Sequence, residues 1–286
     1  LGLDFDLIST DDIDLSIGGN IAFNRTKILS LGVPVDEFYI DGEAQQRSFF
    51  FGNITSRGQI FRTPANVFVQ GEESSLFYGF ETDGIYQTED TDLLSGAEPG
   101  DPRIIDQDGN GIINNDDRTF IGNPNPDYVY GMNLNFRYKR FNVSMLFNGV
   151  HGNDIANGNL LTIGNAGGQF QNITSDAYYN AWRPDAQSST HPRIGYDVIG
   201  DSAITDRIIE DGSFLRLNNL TVGYDFPVEN ASLFSRFNVF VTAQNLFTWT
   251  NYSGYNPEIS SFSYDGLRNG IDWNGSPDAK TMSIGV

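Results

Sequence analysis

The stretch Tyr128–Gly149, YVYGMNLNFRYKRFNVSMLFNG, decides the fold. Its first arm puts Tyr128, Tyr130, Met132, Leu134, Phe136 and Tyr138 on one side, and Val129, Gly131, Asn133, Asn135 and Arg137 on the other. After a short turn at Lys139 and Arg140 the phase shifts, and Phe141, Val143, Met145 and Phe147 alternate with Asn142, Ser144, Leu146 and Asn148. Period two is the signature of a β-strand, because successive side chains leave a pleated backbone on opposite faces. About eleven residues at roughly 3.3 Å each, tilted by about 45°, rise on the order of 25 Å, the height of the apolar band on an outer-membrane barrel. Aromatic residues stand at the ends of the stripe and aliphatic ones at its middle, as a lipid-facing strand with interfacial girdles requires. A soluble β-sandwich also has alternating strands with an apolar face. The hairpin alone leaves both architectures open.

The bulk numbers narrow the choice. Among 286 residues no run approaches the roughly 18 apolar residues of a spanning helix, but a barrel escapes that test because its lipid face uses every second position. Aromatic residues at 13% and 31 glycines suit girdled, bent strands and tight turns. With no cysteine there is no disulfide or thiolate site, and two histidines leave little for a zinc centre. No export signal opens the chain, whose first residues, LGLDFDLI, already alternate as if inside a larger structure. Net charge is -20, and between Glu72 and Arg118 there are 13 acidic residues against Arg103 and Arg118 alone. Such a surface repels nucleic acid and anionic lipid, and suits cations and an aqueous loop.

Inside that acidic span lies a calcium-type loop, Asp106 to Asp117, DQDGNGIINNDD. Oxygen side chains fall at the first, third, fifth, ninth and twelfth positions (Asp106, Asp108, Asn110, Asn114 and Asp117), with Gly111 sixth and the Ile112 carbonyl seventh. Calcium takes six to eight oxygens, and this spacing wraps a chain around one ion. Asp117 stands where glutamate is usual, and the neighbouring Asp116 competes with it for the role. The flanks do not read as helices. A structural calcium site pinning a long loop is therefore expected, not a sensor that opens.

Walking outward, Leu1, Leu3, Phe5 and Leu7 alternate, Ser9 to Asp12 turn, and Ile13, Leu15, Ile17, Gly19, Ile21 and Phe23 alternate again. A long irregular span from about 30 to 127 follows, with local β-structure at Asn66 to Gln70. Beyond the hairpin come a long loop from His151 to Asp211, Gly/Asn-rich at 164–168, a strand from Phe214 to Phe226, and a short connection at 228–236. A strand starting at Phe237, a long loop from Ser253 to Asp278 and a last strand holding Met282, Ile284 and Val286 complete the chain. Short and long connections alternate, which places all three long segments at one end of a barrel, the extracellular one, and the C-terminus at the periplasmic end. Seven spanning strands result. An odd number cannot close a bacterial single-chain barrel, and open edges in lipid cost several kcal/mol per orphan polar group. The expectation is an all-β, antiparallel transmembrane β-barrel segment, part of a larger barrel, with the 30–127 excursion outside.

Several segments, in order, resemble the C-terminal part of the SusC/RagA class of TonB-dependent outer-membrane transporters. They are SSLFYGFETDGIYQT (Ser74 to Thr88), the D-x-D-G-N-G loop running into DRTFIGNPNPDYVYGMN, and GVHGNDIANGN (Gly149 to Asn159). AWRPDAQSSTHPRI (Ala181 to Ile194), DGSFLRLNNLTVGYDFP (Asp211 to Pro227) and QNLFTWTNYSGYNPE (Gln244 to Glu258) continue it, so the whole of 1–286 is covered. The resemblance implies a barrel of about 22 strands with a plugged lumen. It implies import of an oligosaccharide, glycan or peptide, driven through the TonB complex, with a SusD-like surface lipoprotein as lid. Plug, TonB box and earlier strands are not in this sequence, and the last strand stops short of the family's usual terminal aromatic.

Loop aromatics complete the reading. Tyr178, Tyr179, Trp182 and Tyr255 could stack on sugar rings or touch a lid protein, although loop packing and the membrane girdle are the commoner roles of such residues. His151 and His191 have no matched nucleophile, and no acidic pair is placed to converge across a cleft. The chain is therefore read as a non-enzyme, with outer-membrane lipid and a glycan or peptide substrate among its partners and no nucleic acid. The rival readings are a secreted, calcium-stabilised β-domain for glycan binding or adhesion, and a β-rich glycoside hydrolase.

Overall fold

The computed structural model describes residues 1–31, 36–40, 43–53, 64–94, 96–164, 172–195, 204–227, 237–258, 261–262 and 266–286, without the side chains of 36–53, Pro64 and Thr162. The tract at 165–168 and the connection at 228–236 lie outside these residues. Seven strands form one antiparallel wall: β1 (Gly2–Ser9), β2 (Ile13–Ala22), β3 (Tyr128–Tyr138), β4 (Phe141–His151), β5 (Phe214–Phe226), β6 (Phe237–Thr250) and β7 (Thr281–Gly285), paired in that order. These are the seven segments in which the sequence alternates. Among the described residues no helix is long and apolar enough to cross a membrane.

Register converts the alternation of single strands into two chemically distinct faces. One row runs across all seven strands as Phe5, Ile17, Leu134, Met145, Leu220, Ala243 and Met282. The next row, one residue along, reads Asp6, Ser16, Asn135, Ser144, Thr221, Thr242 and Ser283. A slip of one residue in any pair would mix the two faces, so the pattern itself fixes the register. Polar neighbours bond across strands, with Ser144 Oγ donating to Asn135 Oδ1 at 2.8 Å and the Thr221 and Thr242 hydroxyls 3.0 Å apart.

The apolar face is not a sandwich core. Phe5, Phe247, Trp249 and Met282 stand 54%, 52%, 52% and 75% exposed, and neither hydrophobic cluster of the described residues contains any member of this face. Rings gather at its two ends. Phe23, Tyr128, Tyr130 and His151 touch at one rim, and Tyr224, Phe226 and Phe237 at the other. At the first rim Tyr130 lies flat across its partner Gly149 and reaches the Phe214 carbonyl at 3.3 Å. A Cβ on Gly149 would fall 2.3 Å from the Tyr130 ring, so only glycine permits this aromatic cover.

Two local irregularities depart from simple alternation. A bulge between Asp6 and Ile8 leaves Leu7 unpaired and sets Ile8 opposite Leu15, so the apolar row continues through Ile8 and not through Leu7. A second shift separates Leu217/Phe247 from Asn219/Gln244, and Asn245 in that gap has φ 53°, a left-handed conformation asparagine tolerates.

The larger correction concerns the long segments. The excursion expected to be irregular carries five strands, Asp36–Ile40, Glu43–Asn53, Pro64–Val69, Leu76–Phe80 and Arg118–Gly122, in one antiparallel sheet. Thr82–Ile85 and Pro102–Ile104 make a second small ladder beside it. Asp154–Asn157, from the second long segment, pairs with Ile209–Asp211 of the same segment on one side and with Ile271–Asp272 of the third on the other. All three segments then bury one core: Ala65 and Phe77 from the first, Ala156, Ile204 and Ile208 from the second, and Ile271 from the third. The loops fold as a single head. Their common location at one end of the wall, inferred from parity, follows independently from this shared core.

Candidate metal loop and the ties around it

The loop from Asp106 to Asp117 sits in the head between the Pro102–Ile104 and Arg118–Gly122 strands, with no flanking helix beyond the short turn Asn115–Asp117. Asp106 nucleates it. Its Oδ1 accepts from the Gly109 and Asn110 N–H at 2.8 and 3.2 Å, and its Oδ2 from Gly111 N–H at 2.6 Å. Gly109 and Gly111 have φ 70° and 80°, which lets successive N–H groups converge on one carboxylate. Asp117 closes the loop by accepting from Gln107 N–H at 2.9 Å and Asn114 N–H at 2.7 Å.

Carboxylate oxygens of Asp106, Asp108 and Asp117 lie within 4.8 Å of one another. Asp117, not Asp116, faces the cluster. The side chains of Asn110 and Asn114 turn to the loop's own backbone, accepting from Ile112 N–H and Asp116 N–H at 2.7 Å each, and the Ile112 side chain is exposed. Electrostatics divide the three acids. The Gly111 N–H, more than any other contact, holds Asp106 below the usual carboxylate range, whereas burial pushes Asp117 up, with the charges of Asp108 and Asp106 adding to it. An all-oxygen donor set containing a buried carboxylate under like-charge stress fits a hard divalent cation.

The aromatic candidates separate. Trp182 is buried, its ring against Gly100 and its Nε1 donating to Gln87 Oε1 at 3.2 Å, so it packs the head and offers no face to a substrate or lid. Gly100, at φ 95°, is needed there because a Cβ would meet the indole at 2.6 Å. Arg193 belongs to the same knot, its Nε 2.7 Å from Asp101 Oδ1. Tyr178, Tyr179 and Tyr255 are 55%, 74% and 75% exposed, and Tyr178 and Tyr179 touch edge to face.

Two buried ties had no clear sequence signal. Arg216, on the polar face of β5, is 6% exposed and grips the third long segment. Its Nη1 pairs with Glu258 and lies 3.3 Å from Asp278, its Nη2 donates to Asn256 Oδ1 at 2.6 Å, and its Nε to Thr248 Oγ1 at 3.0 Å. The only hint was an arginine at a polar-face position of an alternating strand. In the head, Tyr252 Oη donates to the buried Asp272 carboxylate at 2.6 Å. Burial, then the Asp272 bond and charge, raise the Tyr252 phenol well above its ordinary 10.0.

No protein-family profile matches the chain. It is 31% identical over 98% of its length to TonB-dependent receptor P3 of Formosa agariphila, and 27% identical over its full length to TonB-dependent receptor SusC of Bacteroides thetaiotaomicron. It spans 27% and 26% of those proteins, about a quarter of each. Among solved structures it superimposes on a chain of the RagAB peptide importer in its open-open state with a TM-score of 0.72 at 20% identity, over 99% of this chain and 27% of that one.

Proposed function

The chain belongs to the SusC/RagA type of TonB-dependent receptor, and on that premise we propose that it forms part of the wall and the outer head of an outer-membrane nutrient importer. The observation that carries the reading is the seven-strand register, which sorts the central rows into an apolar and a polar face, with Leu146 and Phe240 as exceptions on the polar one, and leaves the apolar face uncovered. An uncovered apolar band of that size with rings at both rims suits lipid, not water. In this reading the polar face lines the lumen, the head is extracellular, and the Lys139–Arg140 turn is periplasmic. The long segments at one end and the tight turns at the other support that orientation.

The cargo is a glycan or peptide, the energy comes through TonB acting on parts of the protein beyond this chain, and a SusD-like lipoprotein covers the head. Tyr178, Tyr179 and Tyr255 are the exposed rings available to lid or cargo. Calcium at Asp106, Asp108 and Asp117, with carbonyl or water oxygens completing its shell, would neutralise the acidic loop and pin the excursion to the head sheet. The reading is tested by extracting the parent protein from membranes. It should stay monodisperse only in detergent or lipid, and a parent that remains monodisperse in plain buffer would return the chain to the secreted β-domain.

A further inference from the structure

We propose that the hairpin tip at Lys139–Arg140 holds the headgroup of an amine-bearing phospholipid, its phosphate on the two cations and its ammonium on Asp12. This rests on the lipid-facing reading of the apolar wall. Between the Ser9–Asp12 and Lys139–Arg140 turns the structure has a concavity of about 710 Å³ lined by Asp12, Tyr138, Lys139, Arg140, Phe141 and Tyr224. Tyr138 and Phe141 are the outward side chains at the turn between β3 and β4, and Tyr224, paired with Phe141, is the last but one on β5, so the cavity opens at the end of the lipid-facing band. A ligand there has its tail among apolar side chains and its head among charges.

The charges match in kind. Among the described residues the arginines at 25, 103, 137, 193 and 216 each have a carboxylate partner, whereas Lys139 and Arg140, like Lys27, Arg183, Arg207 and Lys280, have none there; only Lys139 and Arg140 line this cavity together. Lys139 Nζ instead lies 5.5 Å from the centre of the Tyr138 ring. Asp12 supplies only its backbone carbonyl, which accepts from Lys139 N–H at 2.6 Å, and its carboxylate makes no hydrogen bond or ion pair in the described residues. Two unpaired cations and one unpaired carboxylate around one cavity complement a phosphodiester with an adjacent ammonium better than a purely anionic head. The backbone adds a further observation. Lys139 has φ 54°, where glycine or asparagine would sit with less strain, and yet a long cation occupies it. Basic residues beside a membrane attract phosphate-bearing lipids, and interfacial aromatic residues fix the depth at which they do so.

The test uses the intact parent protein, released from detergent in a mass spectrometer after incubation with equal amounts of phosphatidylethanolamine, phosphatidylglycerol and phosphatidylcholine of identical acyl chains. Phosphatidylethanolamine should be retained preferentially, and the Lys139→Asn/Arg140→Ser double variant should lose at least about tenfold of that retention. Asparagine keeps the left-handed turn available, and an unchanged thermal unfolding profile confirms that the variant still folds. Asp12→Asn should equalise phosphatidylethanolamine and phosphatidylglycerol while leaving both above phosphatidylcholine. Equal retention of the three lipids by the wild type, or displacement of bound lipid by millimolar inorganic phosphate, overturns the proposal while leaving the barrel intact. A parent that needs no detergent overturns both.

Discussion

Replacing Ile271 with alanine tests whether three segments far apart in sequence fold as one head. Ile271 is fully buried in the core with Ala65, Phe77, Ala156, Ile204 and Ile208. The substitution removes three buried carbons, worth about 2.4 kcal/mol at roughly 0.8 kcal/mol each. The residual cavity adds about 1 kcal/mol at roughly 24 cal/mol per Å³, so the total is about 3–4 kcal/mol, within the usual span for such changes. Hydrogen exchange read by mass spectrometry should then accelerate on the order of 100-fold, since each 1.4 kcal/mol is about tenfold. The acceleration should appear in all three segments, at Leu76–Phe80, at Asp154–Asn157 and around Ile271–Asp272, while Tyr128–Tyr138 and Phe141–His151 keep their protection. Ile271→Val should cost only about 0.5–1.5 kcal/mol and give the same pattern at lower amplitude. Acceleration confined to 266–280 would refute the shared core.

Other perturbations probe the ties individually. Calcium should protect the stretch from Glu72 to Arg118 against protease, and Asp106→Ala should abolish that protection; equal cleavage with and without calcium in the wild type counts against the metal. Arg216→Met should free the third long segment, costing about 1–3 kcal/mol because Glu258 and Asp278 remain partly solvated, and unchanged exchange at Asn256–Glu258 would deny it the role of anchor. Tyr252 has its phenol raised in the fold, so the unfolded chain ionises first and head stability should fall as pH rises above about 10. Tyr252→Phe should cost about 1–3 kcal/mol near neutral pH and flatten that alkaline loss; a variant with the wild-type alkaline profile would assign it to another group.

What could be read in the sequence follows the range of the interactions involved. All seven wall strands were legible because each declares its own face by alternation, and Tyr128–Tyr138 does so over its whole length. The turn at 106–117 was legible because its closing bonds, from Gly111 N–H to Asp106 and from Asn114 N–H to Asp117, lie within a dozen residues. The head was not. Its core joins Phe77 to Ile204 and Ile271, and no local period marks residues that meet only after the chain has crossed the wall several times. Trp182 illustrates the same limit, since an aromatic in a polar loop reads as available until Gly100 and Gln87 are found against it. The bulge at Leu7 escaped for a different reason. Leu7 and Ile8 are both apolar, so composition could not say which one keeps the face.

A membrane wall requires that one face of β3 meet lipid and the other water. These 286 residues hold no cysteine, so in a bilayer-embedded parent cleared of any cysteine outside them, single substitutions from Tyr128→Cys through Tyr138→Cys can each carry one spin label. Collision rates with dissolved oxygen and with a water-soluble nickel chelate should then be measured along the strand. The labels at Tyr130, Met132, Leu134 and Phe136 should meet oxygen freely and the chelate scarcely, and those at Gly131, Asn133, Asn135 and Arg137 should show lower oxygen access in strict alternation. Chelate reaching both sets equally, or oxygen access without a two-residue period, would contradict a membrane wall.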